Sequence, residues 1–304
     1  MKNLAKATFL ISAALLMSPS AQGVKKIMGQ IKQSEQINET MRFTDQHEDN
    51  QVTIFNVYGS IDVEGYAGDE IEVEAVNQVY GTSQTVVDQG LKEIGLNFEQ
   101  HGNRLYIYLD SPFTYFDPES GELWHSDTCW RRDDCSRKHV KKDYKYQLDI
   151  KVRLPKHLSL EVSAINNGDI TVSGVHGKNL NVSNINGAID MVDVSGQTFV
   201  NAINKDINIA YSENPTADSE FESINGDLNI TFAGQPNAEV VYKTMHGDFY
   251  TAYDVSMMAP VVKRTSKQNK HGIHYKLDAE SRLQVGDGGP EYRFRTLNGD
   301  IKIK

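Results

Sequence analysis

Aspartate follows glycine, or lysine in one copy, at a fixed place in a motif that recurs along the second half of the chain, giving Asp169, Asp206, Asp227, Asp248 and Asp300. If successive copies stack at strand spacing, these carboxylates form a column in which like charges repel unless a cation or water screens them. Calcium, a hard cation that takes carboxylate oxygens, is the ion such a column would select. The column is interrupted at Ala188 and, in an early copy, at Ser60, and no Gly-Gly-x-Gly-x-Asp nonapeptide is present, so solvated corner carboxylates are expected and no metal or cofactor is assigned. His271 and His274 stand three apart in a basic tract, but the sequence brings no third ligand close to them. The chain has no Gly-x-Ser-x-Gly, no His-Glu-x-x-His and no phosphate loop, so no catalytic residue is assigned.

A second group of residues suits recognition. Between 110 and 142 the chain leaves its regular pattern and carries Phe113, Tyr115, Phe116, Trp124 and Trp130, together with Cys129, Cys135 and a basic run at Arg137-Lys138-His139. Long excursions of this kind are uncommon in compact domains and are often functional. Aromatic rings stack on sugar faces or anchor protein interfaces, which makes these five residues the candidate binding set. The competing expectation is a hairpin tip whose aromatics pack on the parent domain. In an oxidising compartment Cys129 and Cys135 are expected to close a local disulfide that staples this side loop.

The elements that must position these residues are read from periodicity. Gln51 begins an alternation of apolar and polar residues that passes through Ile54, Val57, Ile61 and Val63 and resumes at Ile71, which predicts half-buried strands. Ser83 to Ile94 has helical spacing, with Ser83 as N-cap and Gly95 as stop. Strands at 95–99 and 104–109 flank a hairpin turn at His101-Gly102-Asn103, and a further strand runs from Tyr144 to Pro155.

From there the motif apolar-Asn-Gly-Asp-apolar-polar-apolar takes over. Its leading residue is Ile165 (with one extra Asn), Ile185, Ile203, Ile224, Met245 and Leu297, with a looser copy at Val57; the spacings from Ile165 onward are 20, 18, 21, 21 and 52. Units of about 20 residues are the mark of a repeat architecture. Asn-Gly alone would suggest hairpins. Yet the alternation of Ile224, Gly226, Leu228 and Ile230 runs straight through the dipeptide, so a bend within a stacked coil is expected instead. The predicted fold is therefore all-β: a single-domain parallel β-solenoid, or β-helix, with one short helix and a side loop, the alternative being an antiparallel β-sandwich. Ile165, Ile185, Ile203, Ile224, Met245 and Leu297 are expected, in that order, as its inner column, with the asparagines stacked as an amide ladder. The 52-residue gap reads as a lost or stretched copy.

Residues 1–23 combine Lys2 and Lys6 with a short apolar core, which predicts a cleaved export signal. Residues 24–50 read as a leader or capping segment and 51–304 as the solenoid domain, with 110–142 inserted. The formal charge of −10 argues against nucleic acid or anionic lipid as partner.

The stretches "GSIDVEGYAGDEIEVEA" and "YQLDIKVRLPKHLSLEV", the exported leader and the succession of "INGDI" motifs resemble the DUF4097 family of bacterial β-helical proteins. The resemblance implies a cell-envelope protein with an adhesive role and brings no catalytic residues. The expectation is a non-enzymatic, exported, adhesin-like binding scaffold, periplasmic or on the cell surface, that takes a protein or glycan partner. The alternative is a carbohydrate-active β-helix enzyme, a polysaccharide lyase or hydrolase, its acid pair drawn from 41 acidic residues.

Overall fold

The alternating segments form strands in a computed structural model that describes residues 30–117, 123–125, 143–269 and 272–304. The chain begins with β1 (Ile31–Met41), β2 (Gln51–Tyr58), β3 (Ile61–Tyr66) and β4 (Ile71–Gly81), followed by helix α1 (Gln84–Glu93) and the hairpin β5 (Gly95–His101) and β6 (Arg104–Asp110). Ser83 caps α1 by accepting the Val86 N–H, as its position before the helical spacing predicts. His101 lies opposite Arg104, so Gly102 and Asn103 form a two-residue turn with Gly102 at φ +61°. No helix among the described residues is long and apolar enough to cross a membrane.

The insertion carries a separate ribbon of β7 (Thr114–Phe116) and β8 (Leu123–His125), after which β9 (Lys145–Pro155) rejoins the main fold. The repeats follow as strand pairs: β10 (Ser159–Asn166) with β11 (Ile170–Ser173), β12 (Asn179–Asn184) with β13 (Ile189–Val194), β14 (Gln197–Ala202) with β15 (Ile207–Tyr211), β16 (Ser219–Ser223) with β17 (Leu228–Thr231), and β18 (Ala238–His246) with β19 (Phe249–Thr251). β20 (Val255–Met257), β21 (Val261–Asn269) and β22 (Gly272–Val285) interrupt them, and β23 (Glu291–Asn298) with β24 (Ile301–Ile303) ends the chain.

Each pair is one rung, its first strand in a twelve-stranded sheet and its second in a ten-stranded sheet. Equivalent strands of neighbouring rungs are parallel and in register, in the first sheet along Val162, Val182, Val200, Phe221, Phe294 and Tyr242. In the second sheet the line runs Ile150, Ile61, Ile170, Ile189, Ile207, Leu228, Ile301 and Phe249. Most of these side chains are fully buried, and they make the core between the sheets. The sheets are mixed: β4 and β1 lie antiparallel beyond β9, β5 beyond β6, and β22 and β20 beyond β18.

Two expectations are corrected. The leading apolar residues are not an inner column, since Ile224 is 41 %, Leu297 38 % and Met245 63 % exposed. Parity shifts by one at the corner: Ser223 faces in, Ile224 and Asn225 both face out, and Gly226 faces in again. At the Ile224 corner two successive outward residues turn the chain from one sheet to the other, and the positions before the leading apolar residue, Ala164, Asn184, Ala202, Ser223 and Thr296, are buried; in the looser copy both Asn56 and Val57 are buried. The order of stacking also differs. The described residues of the long gap form the antiparallel strands β20, β21 and β22 rather than a lost or stretched rung, and β23 and β24 fold back between the β16–β17 rung and the β18–β19 rung, pairing with both. Leu297 therefore stands between Ile224 and Met245.

Candidate binding surfaces

The glycine of the motif is required by the approach of one rung to the next. A Cβ on Gly187 would come within 1.9 Å of the Gly168 carbonyl oxygen, one on Gly226 within 2.2 Å of the Lys205 oxygen, and one on Gly299 within 2.2 Å of the Gly226 oxygen. The copy at Ile165 contains an extra residue, and Asn167 absorbs it at φ 58°, a left-handed conformation that asparagine tolerates.

The asparagines form the expected ladder. Asn186 Nδ2 donates to Asn166 Oδ1 at 2.7 Å, Asn204 to Asn186 at 2.7 Å, Asn225 to Asn204 at 3.1 Å and Asn298 to Asn225 at 2.7 Å. His246 lies in register with Asn298 and replaces the amide on the outermost rung.

The aspartates are held by backbone rather than left to repel one another. Asp169 accepts the Ala188 N–H (2.8 Å), Asp206 that of Asp227 (2.8 Å), Asp227 that of Asp300 (2.9 Å) and Asp300 that of Asp248 (3.0 Å). The expectation of solvated carboxylates therefore omitted a donor that the stack itself supplies. Lysines supply the cations: Lys302 lies 2.7 Å from Asp227 and 3.4 Å from Asp300, and Lys205, which replaces the motif glycine, reaches Asp169 across the gap at Ala188 (3.1 Å). The Lys302 ammonium and then the Asp300 amide hold the Asp227 carboxyl below the usual carboxylate range. For Asp169 the Ala188 amide does so first and Lys205 second. Sequence reading missed the foot of the column, Asp149, which accepts both the amide (2.9 Å) and the hydroxyl (3.0 Å) of Ser60. Its signal was Asp149-Ile150-Lys151-Val152, which repeats the motif's second half without the Asn-Gly.

The five candidate aromatics divide. Phe113 is 6 % exposed and belongs to the buried core. Phe116 lies 4.9 Å, centroid to centroid, from both Tyr106 and Tyr108 and 5.8 Å from His101, so it anchors the ribbon to β5 and β6. Tyr115 is 42 % exposed and pairs in register with Trp124 across the ribbon. Trp130, Cys129 and Cys135 lie outside the described residues, as do His271, residues 1–29, on which the expected export signal falls, and the basic run at 137–139. A recess between β1 and α1, lined by Gln33, Ser34, Glu35, Asp88, Leu91 and Lys92, has a volume of about 540 Å³ and open polar walls.

Comparison with known proteins gives the following. No curated protein matches the chain. Among solved structures, a protein of Clostridium sporogenes ATCC 15579 provisionally named a cell adhesion protein shares 9 % identity over 90 % of this chain and 99 % of its own, with a TM-score of 0.43. A provisionally named adhesin of Bacteroides fragilis NCTC 9343 shares 13 % over 89 % and 97 %, with a TM-score of 0.31. A provisionally named lipid-binding protein of Parabacteroides distasonis ATCC 8503 shares 10 % over 88 % and 97 %, with a TM-score of 0.25. Similarity this remote carries no activity over. The Toastrack DUF4097 family model matches residues 149–304, just over half of the chain, beginning at the foot of the carboxylate column and covering the described motif rungs except that of Val57. With this match, and the stacked motif within it, the chain belongs to the Toastrack DUF4097 family.

Proposed function

We propose that the protein is a non-enzymatic, exported cell-envelope scaffold, a parallel β-solenoid that presents a binding surface to a protein or glycan partner. The observation that carries this reading is the engagement of the motif's own polar groups. Asn166, Asn186, Asn204, Asn225 and Asn298 bond to one another, and Asp169, Asp206, Asp227 and Asp300 bond to the backbone of the next rung. These groups hold the stack together, so recognition belongs to what stands outside it. The β7–β8 ribbon stands outside it, fixed by Phe116 on Tyr106 and Tyr108 and offering Tyr115, whose partner in register is Trp124. An exposed tyrosine on an anchored ribbon suits either a sugar face or an apolar protein patch.

The test replaces Tyr115, Trp124 and Trp130 together by alanine, leaving Phe113 and Phe116 as anchors. A glycan array and capture from envelope extract are then read beside the far-UV spectrum. Binding by the parent chain that disappears in the variant with an unchanged spectrum supports the assignment; binding that survives assigns recognition elsewhere. Surface protease accessibility on fractionated cells tests placement, and product release from acidic polysaccharides would replace the scaffold reading with an enzymatic one.

A further inference from the structure

The last rung is stacked out of sequence order. Strands β16 and β18 are consecutive repeats, yet β23 lies between them, with Phe294 opposite Phe221 on one side and Tyr242 on the other. In the second sheet β24 separates β17 from β19 in the same way, with Ile301 between Leu228 and Phe249. The inserted segment makes the motif's bonds in both directions. Asn298 donates to Asn225, the Asp300 amide donates to Asp227, and the Asp248 amide donates to Asp300. Tyr292, Phe294 and Ile301 are fully buried, and the Phe294 ring stacks on Phe221 at 4.8 Å. Arg295 adds ion pairs to Glu220 and Glu222 of β16, both at 2.8 Å.

A five-residue turn joins this segment to β22, whose Glu280 also pairs with Arg293 and Arg295, contacts that an exchanged rung makes equally with the other copy. The connection from β22 is Gly286-Asp287-Gly288-Gly289-Pro290, in which all three glycines have positive φ (57°, 77° and 157°). It rests on Asn237, whose side chain accepts the Asp287 amide at 3.1 Å. A terminal segment with a full set of native contacts and a glycine-rich tether is the ordinary substrate of segment exchange, since a second copy offers the same slot and the same bonds.

We propose that β23 and β24 exchange between two copies of this chain, each copy's C-terminal rung filling the slot between β16–β17 and β18–β19 of the other. The product is a closed symmetric dimer that joins two stacks at their C-terminal ends. Nothing within the rung changes on exchange; the 286–290 connection alone takes a different path. Formation is second order, so exchange during folding grows with chain concentration.

The experiment uses the full chain with Cys129 and Cys135 replaced by serine. Asn229 and Lys302 face each other in register, and both are half-buried. One tagged chain carries Asn229→Cys, a differently tagged chain carries Lys302→Cys, and a control chain carries both. The control closes an intrachain disulfide, which reports the native register and the competence of the pair. The two single variants are refolded together and oxidised. The proposal expects a disulfide-linked species bearing both tags, increasing several-fold as refolding concentration is raised. Closure in the control with no linked species from the mixed chains at any concentration overturns it.

Discussion

At the scale of residues the stack sets two different demands on glycine. Gly187 faces the Gly168 carbonyl, where an added Cβ would sit 1.9 Å from the oxygen and 2.4 Å from Asn184 Nδ2, itself hydrogen-bonded to the Gly168 and Ala188 oxygens. Gly187→Ala is therefore expected to destabilise by about 3 kcal/mol or more, the upper range for overpacking a tight contact. Gly102 has φ +61° and open space around it, so Gly102→Ala meets only the left-handed strain of about 1 kcal/mol. Denaturant midpoints of the two variants, measured side by side, separate close approach from conformation. The carboxylate column makes a prediction about pH. Asp169 and Asp227 hold their protons less tightly when folded than when unfolded, because amides and lysines stabilise the charged form. Their stabilisation is present above the unfolded value of 3.8 and lost as pH falls through the lower folded value. Unfolding midpoints should thus be flat above about pH 5 and fall below about pH 4. Asp227→Asn should shorten the acid limb; a limb of unchanged depth would remove Asp227 from the cause.

At the scale of elements, β23 shows which part of the repeat faces the core. Phe294 is fully buried between Phe221 and Tyr242, whereas Leu297, the leading residue of the motif copy, is 38 % exposed at the corner. Phe294→Ala should cost about 3–5 kcal/mol, as truncations of buried phenylalanine do. Leu297→Ala should stay within about 0.5 kcal/mol, as surface changes do. Equal costs would restore the inner-column reading. That reading failed for a physical reason. Alternation across the Asn-Gly step correctly placed Gly226, Leu228 and Ile230 on one face, but a corner needs two consecutive outward residues, and a period-two pattern carried back to Ile224 crosses it without notice. The strands, the capped helix, the 95–110 hairpin and the amide ladder were legible because each depends on neighbours in sequence or on one fixed spacing. The backbone bonds of the aspartates were not, because a fixed spacing aligns carboxylate with carboxylate and does not show which way the amides at the corner point. Burial of Phe113 and stacking of Phe116 match the competing expectation that the aromatics pack on the parent domain, but which of the five do so was not legible, because it depends on how β7 folds back over β6.

At the scale of the whole molecule, sequence order and stacking order part at the C-terminal end. The copy at Met245 follows that at Ile224 by 21 residues, the same interval that separates Ile203 from Ile224, so β18 and β19 carry what direct stacking on β16 and β17 demands. In the full chain Glu222 and Lys243 both lie opposite Arg295, on its two sides, and so stand two strand spacings apart, about 9.6 Å. A chain ending at Tyr253 lacks β23 and β24, and burial of the bared faces of Phe221 and Tyr242 then favours closure of the gap. In that truncated chain Glu222→Cys and Lys243→Cys should form a disulfide, since adjacent strands bring Cα atoms within the range that the bond requires. In the full chain the same pair should stay reduced, because β23 holds it too far apart. A disulfide in both chains would mean that the C-terminal rung leaves its slot readily, and one in neither would mean that the β18–β19 rung depends on β23 for its place. The expected pattern, closed only in the truncation, makes the β16–β18 boundary an interface that accepts either of two partners, and the order in which the strands form decides which one it holds.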